Sequence, residues 1–363
     1  MNQSPFLSVV IPNHGGAATI AACLEAVLAS RYDDFEVVVV DDGSVDDSVA
    51  IIRRYPCRLL LLPVQRGASA ARNAGAAVAK GEYLLFIDAD CLVLPNTLAV
   101  AGMVARQFGP DWIVGGTYTP RPPPPDDTRF FSLFQSVFIH HFESKRFIDP
   151  DYVASHAMVI AAVSFRQSGG FPSDFLPIIE DVEFSHRLRR QGYKMRMAAQ
   201  MLVRHVFNYN LRRSLANARR KSRYWTLYSL KNRDLLSDSG VASHELKINV
   251  AAFALTVILL ILLITAWLGP ILLPGVVDQV VEEASLPGTV IGSGLTLIFG
   301  LQLLNGLVQS KLLLAFYRAG GCFFTMRAGV YYAFIYPLPV GLGGLGGLWT
   351  YLWQRTTDAA KNP

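Results

Sequence analysis

Two carboxylates separated by one small residue, Asp88 and Asp90, close the apolar run Tyr83-Leu84-Leu85-Phe86-Ile87. A run this short, rich in Leu, Ile and aromatics, suits a central strand buried on both faces. Alternation along a strand sets Asp88 and Asp90 on the same side. Like charges so close repel one another, and they are tolerated where a divalent cation sits between them and a polyphosphate. A solvated acidic turn after a strand has the same appearance, so the pair takes its meaning from what other parts of the chain bring beside it.

The elements that must do this are legible in order. Leu7 to Pro12 is a β-branched run ended by proline, hence a strand, followed by the loop Asn13-His14-Gly15-Gly16. Ala17 to Ser30 has helical spacing, with Ile20, Leu24, Val27 and Leu28 on one face. Phe35 to Val40 is the next strand, ending in Asp41-Asp42-Gly43-Ser44. Asp46 to Tyr55 is expected as a helix, Arg58 to Pro63 as a third strand, Gln65 to Lys80 as a glycine loop running into an Ala-rich helix, and Tyr83 to Ile87 as the fourth strand. Strands alternating with helices imply a parallel sheet with right-handed crossovers. Ligands of such sheets bind at the carboxyl ends of the strands, where His14, Asp41, Asp42, Asp88 and Asp90 all fall. The first strand-to-helix turn lacks Gly-x-Gly-x-x-Gly, and no Gly-x-x-x-x-Gly-Lys-Ser/Thr occurs, which argues against dinucleotide and P-loop sites.

Composition narrows the setting. The 363 residues are 52% hydrophobic, with a mean hydropathy of +0.31, a net charge of +5 and a pI near 9.0. A basic balance fits nucleic acid, anionic lipid or a phosphorylated substrate; the apolar C-terminal segments favour lipid, so no nucleic-acid partner is expected. Cys23, Cys57, Cys91 and Cys322 lack Cys-x-x-Cys spacing and read as reduced residues, not a zinc site or disulfide framework. MNQSPF carries no basic region followed by an apolar one, so no signal peptide is expected.

Four segments in fixed order, SVVIPNHGGAATI, VVVVDDGSVDDS, RGASAARNAGAAVAKGEYLLFIDAD and GGFPSDFLPIIEDVEFSHRLRRQGYKM, resemble an inverting family-2 glycosyltransferase. The resemblance covers roughly residues 7 to 207 and implies the GT-A fold: an α/β, mostly parallel sheet domain, here followed by C-terminal transmembrane helices. It also implies roles. Pro12, Asn13, His14, Asp41 and Asp42 would hold the nucleoside of a nucleotide-sugar, a UDP-sugar first. His14 stands where the family usually has an aromatic residue and Gly15 where it has Asn, so the base is left unassigned. Gly67 and Arg72 would lie beneath the diphosphate, Arg72 pairing with phosphate or with Asp88. Asp88 and Asp90 would hold Mg²⁺ or Mn²⁺, with His205 where some members supply a metal-binding histidine. Asp181 would be the general base that inversion requires, with Glu180 beside it raising its pKa or orienting the acceptor. Each has a plainer alternative: a turn or cap at Asp42, a packing helix around Arg72, a structural imidazole at His205, and dipole-favoured acids before a helix at Glu180 and Asp181.

The rest of the chain concerns lipid. Arg121-Pro122-Pro123-Pro124-Pro125 is a stiff connector. Arg129 to Phe147 interleaves aromatic and basic residues, as either a membrane-surface helix or one packed on its own domain. Leu211 to Arg233 is basic and anchored by Tyr224, Trp225 and Tyr228, and it lacks the Gln-x-x-Arg-Trp of processive polysaccharide synthases. Residues 1–230 are expected as the catalytic domain, 231–247 as a linker, 248–353 as a membrane domain with segments at about 248–268, 286–310 and 329–353, and 354–363 as a tail. The first membrane loop holds Asp278, Glu282 and Glu283, the second Lys311, Arg318 and Arg327. The positive-inside rule then puts the catalytic domain in the cytoplasm, at the bacterial inner membrane. Arg355 and Lys361 would lie outside if the third segment spans, and inside if it is re-entrant. The expectation is an inverting, metal-dependent transferase with a lipid-linked acceptor. A tethered transferase with a soluble or polysaccharide acceptor, and a non-catalytic scaffold, are the alternatives.

Overall fold

The four expected strands all form and run parallel. In the computed structural model, which describes residues 4–120, 129–173, 176–272 and 286–361, β1 (Leu7–Asn13), β2 (Phe35–Asp41), β3 (Arg58–Leu61) and β4 (Tyr83–Ile87) alternate with α1 (Ile20–Leu28), α2 (Ser48–Ile52) and α3 (Ala68–Val78). The pairs β1–β2, β2–β3 and β1–β4 are parallel. β1 and β4 are almost wholly buried, which is why they read as continuous apolar runs rather than alternating ones.

The sheet then becomes mixed. β5 (Cys91–Val93), α4 (Thr97–Phe108), β6 (Trp112–Tyr118), α5 (Phe130–Glu143), β7 (Ala157–Ala161), α6 (Ala162–Gln167), α7 (Glu180–Arg190) and β8 (Lys194–His205) follow. The eight strands lie in the order β3-β2-β1-β4-β7-β6-β8-β5. β7 pairs antiparallel with both β4 and β6, β6 pairs parallel with β8, and β5 closes the far edge antiparallel to β8. This is the mixed, Rossmann-like sheet of a GT-A domain. The connector Arg121–Pro125 and the acidic residues Asp278, Glu282 and Glu283 lie outside the described residues.

Packing fixes where α3 sits. Gly75 faces the sheet so closely that a Cβ there would come 2.5 Å from Val10 Cγ1 and 3.1 Å from Val40 Cγ2. That approach brings Arg72, one turn earlier, down to the strand ends. On the neighbouring part of the sheet Phe86 packs on Phe165 and Phe171, with ring centroids 5.1 and 5.2 Å away, and Phe184 of α7 meets Phe171 at 4.5 Å with the rings tilted. The GGF loop and α7 are therefore anchored by the strand that ends in the Asp pair. Of the two readings of residues 129–147, the structure favours packing: eight of the fourteen residues of α5 are buried.

The chain divides into two compact units, residues 1–217 with 238–241, and residues 218–237 with 242–363. α8 (Leu211–Asn232) runs from the first into the second, which also holds α9 (His244–Leu272), α10 (Leu286–Val308), α11 (Ser310–Val330), a π-helical turn (Tyr331–Ile335) and α12 (Pro337–Lys361). Among the described residues three stretches are long and apolar enough to cross a membrane: His244–Leu268, Val290–Val308 and Ser310–Thr357.

Candidate functional site

β1, β2 and β4 end along one edge, and register sets Asn13 opposite Asp41. Asn13 Nδ2 donates to Asp41 Oδ2 at 2.8 Å, and Ser44 donates to the same carboxylate from its N–H (2.9 Å) and hydroxyl (2.6 Å). Asp42 accepts the N–H groups of Arg66 at 2.8 Å and Gly67 at 2.7 Å. His14 Nδ1 lies 2.9 Å from the Asp42 carbonyl oxygen. The two acids expected to meet the nucleoside therefore also lace the first three loops together. Each carboxylate keeps lone pairs beyond the bonds it accepts here. Pro12 precedes them on β1, opposite Val40. Gly67 precedes α3 with φ of 91°, a conformation that favours glycine.

Arg72 is 3% exposed and forks between two carboxylates, Asp88 at 2.6 Å and Glu180 at 2.7 Å. Its link to Asp88 matches the sequence expectation. The link to Glu180 was not foreseen: Glu180 faces the donor-side arginine, whereas Asp181 accepts the N–H of Ser155 at 3.2 Å and that of Val182 at 2.9 Å. Both acids occupy the first turn of α7, where the helix dipole favours negative charge. Ile179, just before them, is left-handed at φ 66°. A β-branched residue rarely adopts that conformation, and the strain marks the entry to α7 immediately before the two acids.

At the other end of the pair, His205 Nε2 lies 3.4 Å from Asp90 Oδ2. The β5–β8 register makes this contact, because Cys91 pairs with His205. Phe207 stacks on the imidazole at 3.9 Å, and the Tyr118 ring meets it edge-on at 5.0 Å. Burial works to raise the Asp88 carboxyl, but Arg72, with help from His156 and His205, outweighs it and holds the group below the usual carboxylate range. Burial pushes the Asp90 carboxyl up, His205 opposes it, and the charge of Asp88 adds to it. Desolvation raises the Cys91 thiol well above its ordinary value. Among the described residues Asp90, Cys91 and His205 form a group close enough to share an ion. Asp90 and His205 offer carboxylate oxygen and imidazole nitrogen, a set that fits Mg²⁺ or Mn²⁺.

Three further residues in the contact network were assigned no role from sequence. His156 stacks on Tyr118 with centroids 4.0 Å apart, and its Nε2 is 3.5 Å from Glu143 Oε2. Glu143 in turn accepts the Thr117 hydroxyl at 2.7 Å. Asn73 clamps the GGF loop, donating to the Phe171 carbonyl at 2.8 Å and accepting its N–H at 2.9 Å. Asn73 stands inside the RGASAARNAG segment, which was the available signal; nothing in the sequence marked His156 or Glu143.

Comparison with known proteins bears on the fold and the family. Residues 8–160 match the family model described as glycosyl transferase family 2. Over those residues the chain carries a glycosyl transferase family 2 domain. The uncharacterized glycosyltransferase YibD of Escherichia coli K12 is 38% identical over 100 residues, 26% of this chain and 29% of its own length. The validoxylamine A glucosyltransferase of Streptomyces hygroscopicus subsp. jinggangensis is 30% identical over 228 residues, 53% of each chain. The chain thus spans between about three-tenths and about half of the length of these relatives. A mannosyltransferase from Pyrobaculum calidifontis, solved with GDP-Man and Mn²⁺, has the same fold with a TM-score of 0.52 at 17% identity, covering 97% of this chain and 88% of that one. The family match takes in every donor-side residue from Pro12 to Asp90; Glu180, Asp181 and His205 lie beyond it.

Proposed function

We propose that the chain transfers a sugar from a nucleotide-sugar to a lipid-linked acceptor, with inversion and with a divalent metal, at the cytoplasmic face of a membrane. The observation that carries this reading is the convergence on one sheet edge. Arg72 ties Asp88 to Glu180, Asp90 meets His205, and Asp181 stands next to Glu180 at the start of α7.

Each part has a chemical task. Asp90, His205 and the oxygen of Asp88 not bonded to Arg72 would hold Mg²⁺ or Mn²⁺, which neutralises charge on the leaving nucleoside diphosphate. The mannosyltransferase of the same fold holds GDP-Man and Mn²⁺. Arg72 adds a fixed positive charge, already oriented by two carboxylates, so little reorganisation accompanies the reaction. Asn13, His14, Asp41 and Asp42 form the wall for the nucleoside. Asp181 takes the proton of the acceptor hydroxyl while that oxygen bonds to the anomeric carbon and the bond to the diphosphate oxygen breaks on the opposite face. Glu180, committed to Arg72, relays orientation between the donor and acceptor sides.

The lipid-linked acceptor follows from the C-terminal helices and from the basic helix α8. The cytoplasmic side follows from Lys311, Arg318 and Arg327, which come after the second apolar stretch. The test is donor hydrolysis and transfer by the full chain over a panel of nucleotide-sugars, UDP-sugars and GDP-mannose included, with and without Mn²⁺ and with lipid-phosphate or soluble acceptors. Turnover that needs both a nucleotide-sugar and a divalent ion supports the reading. No turnover of any donor, or equal turnover in EDTA, overturns it.

A further inference from the structure

Composition offers three membrane crossings; the contacts within the second unit support two. α9 and α10 form an antiparallel hairpin whose register is set by polar groups. Gln309 donates to the Glu245 carbonyl at 2.8 Å, Asn305 to Asn249 Oδ1 at 2.9 Å, and Gln302 to Thr256 Oγ1 at 2.8 Å. Gly294 packs against Leu263 further along. Polar ladders and small residues of this kind hold helices together in lipid. The end of α10 therefore returns to the level at which α9 begins.

The chain does not leave that level again. Asn249, which meets Asn305 on one side, also donates to the Tyr332 carbonyl at 2.7 Å. Residues 309 and 332 thus sit at the same end of the hairpin. Between them α11 breaks at Gly321, where φ is 73° and ψ is −170°. Phe316 and Phe324 meet edge-on at 5.7 Å across this break. Each arm is only about ten residues long, roughly 15 Å, half the thickness of a hydrocarbon core. Both arms carry exposed cations, Arg318 near the bend and Arg327 beyond it.

α12 is held at the same level by α8. Ser222 donates to the Val340 carbonyl at 2.7 Å, and Arg223 to Thr350 Oγ1 at 3.1 Å. Between these bonds Gly343 and Gly347 lie directly on the α8 backbone; a Cβ at either position would run into the carbonyl oxygens of Arg219 and Arg223. α8 carries four exposed cations in five residues, Arg219, Arg220, Lys221 and Arg223. So dense a charge does not enter hydrocarbon, and it keeps the middle of α12 at the surface with it. Yet α12 presents Leu345, Trp349 and Trp353, which are 65, 70 and 63% exposed. Cations beside exposed Leu and Trp are the signature of a helix pair lying in the headgroup region.

We propose that Ser310–Thr357 does not cross the membrane, and that α8, α11 and α12 form an interfacial platform seated on an anionic phospholipid leaflet. The chain then crosses twice, through α9 and α10, and Arg355 lies on the side of the platform. The occupant is lipid because the apolar face and the cations belong to one packed pair, and anionic lipid satisfies both at once. This topology stands apart from the catalytic reading and survives its failure.

The experiment is nitroxide depth measurement on the full chain reconstituted in vesicles. Leu345→Cys is labelled in a Cys57→Ser, Cys322→Ser background, with Leu260→Cys in α9 as the midplane reference; Cys23 and Cys91 are buried. Leu345 should read about 5–10 Å below the phosphates, against about 15 Å for Leu260. A depth equal to that of Leu260, or a label in water, overturns the proposal. In sealed vesicles, impermeant maleimide should label Thr356→Cys and Asp33→Cys, the latter in the catalytic unit, from the same side; opposite sides overturn it. The Leu345 label should move outward in pure phosphatidylcholine relative to phosphatidylglycerol-rich vesicles, and likewise in an Arg220→Glu, Lys221→Glu variant. Unchanged depth in both would overturn the requirement for anionic lipid.

Discussion

Replacing Arg72 by Met tests the centre of the site, because it removes the charge while roughly keeping the volume. Arg72 is 3% exposed and holds Asp88 and Glu180, whose side chains are 29 and 15% exposed. Breaking a fully buried pair by deleting one partner costs about 3–5 kcal/mol. Both carboxylates here keep some contact with solvent, so a discounted loss of about 2–3 kcal/mol is expected at neutral pH. For a unit of this size that corresponds to a fall in Tm of about 4–12 °C. The pH dependence fixes the sign. In the native protein the Asp88 carboxyl lies below its ordinary value, so its contribution is present above the unfolded-state pKa and is lost as pH falls through the lower folded one. In the Met variant Asp88 loses the cation that opposes its burial, which pushes its carboxyl up. The variant then takes up protons that the native protein does not, and its deficit should shrink as pH falls from neutral towards 5. The assay is thermal unfolding of the full chain in detergent at pH 7.5 and 5.5, with Arg72→Lys as a control that keeps the charge but loses the planar fork. A Met variant within about 0.5 kcal/mol of wild type, the range of ordinary surface substitutions, would refute the reasoning, as would a deficit that grows on acidification.

Three other outcomes follow from the same geometry. Asp90→Asn should lower transfer by at least ~10²-fold while leaving Tm near wild type, with EDTA reproducing the loss; full activity in EDTA would remove the metal from the site. Asp181→Asn keeps shape but cannot take a proton, so transfer should fall by roughly 10²–10⁴ with donor affinity by calorimetry nearly unchanged, and Glu180→Gln should lower transfer less; wild-type transfer, or lost donor binding instead, would show that Asp181 is not the base. Gly75→Ala places a methyl against Val10 and Val40, and overpacking of this kind should destabilise by about 1–3 kcal/mol, read as a lower Tm; an unchanged Tm would mean that α3 moves off the sheet freely.

The N-terminal half of the sheet was legible because it rests on local pattern. Tyr83 to Ile87 is both the expected and the observed strand, since a buried strand must be apolar along its whole length and must stop where charge begins. Helix ends were less legible: the second helix, expected from Asp46 to Tyr55, spans only Ser48 to Ile52, because Asp46 spends its carboxylate on the Ser48 N–H and hydroxyl and on the Ala17 N–H. Relations across long stretches of chain were decided by tertiary structure alone. His205 reaches Asp90 through the β5–β8 register, and a shift of one residue would turn it to the other face. Glu180 reaches Arg72, 108 residues away, while Asp181 accepts the Ser155 N–H, because successive residues of α7 point about 100° apart and only the fold says what each then meets. Hydropathy left the third segment open between crossing and re-entry, since it registers composition and not neighbours; that Gly343 and Gly347 bring α12 onto the cationic α8 was visible only in the tertiary structure.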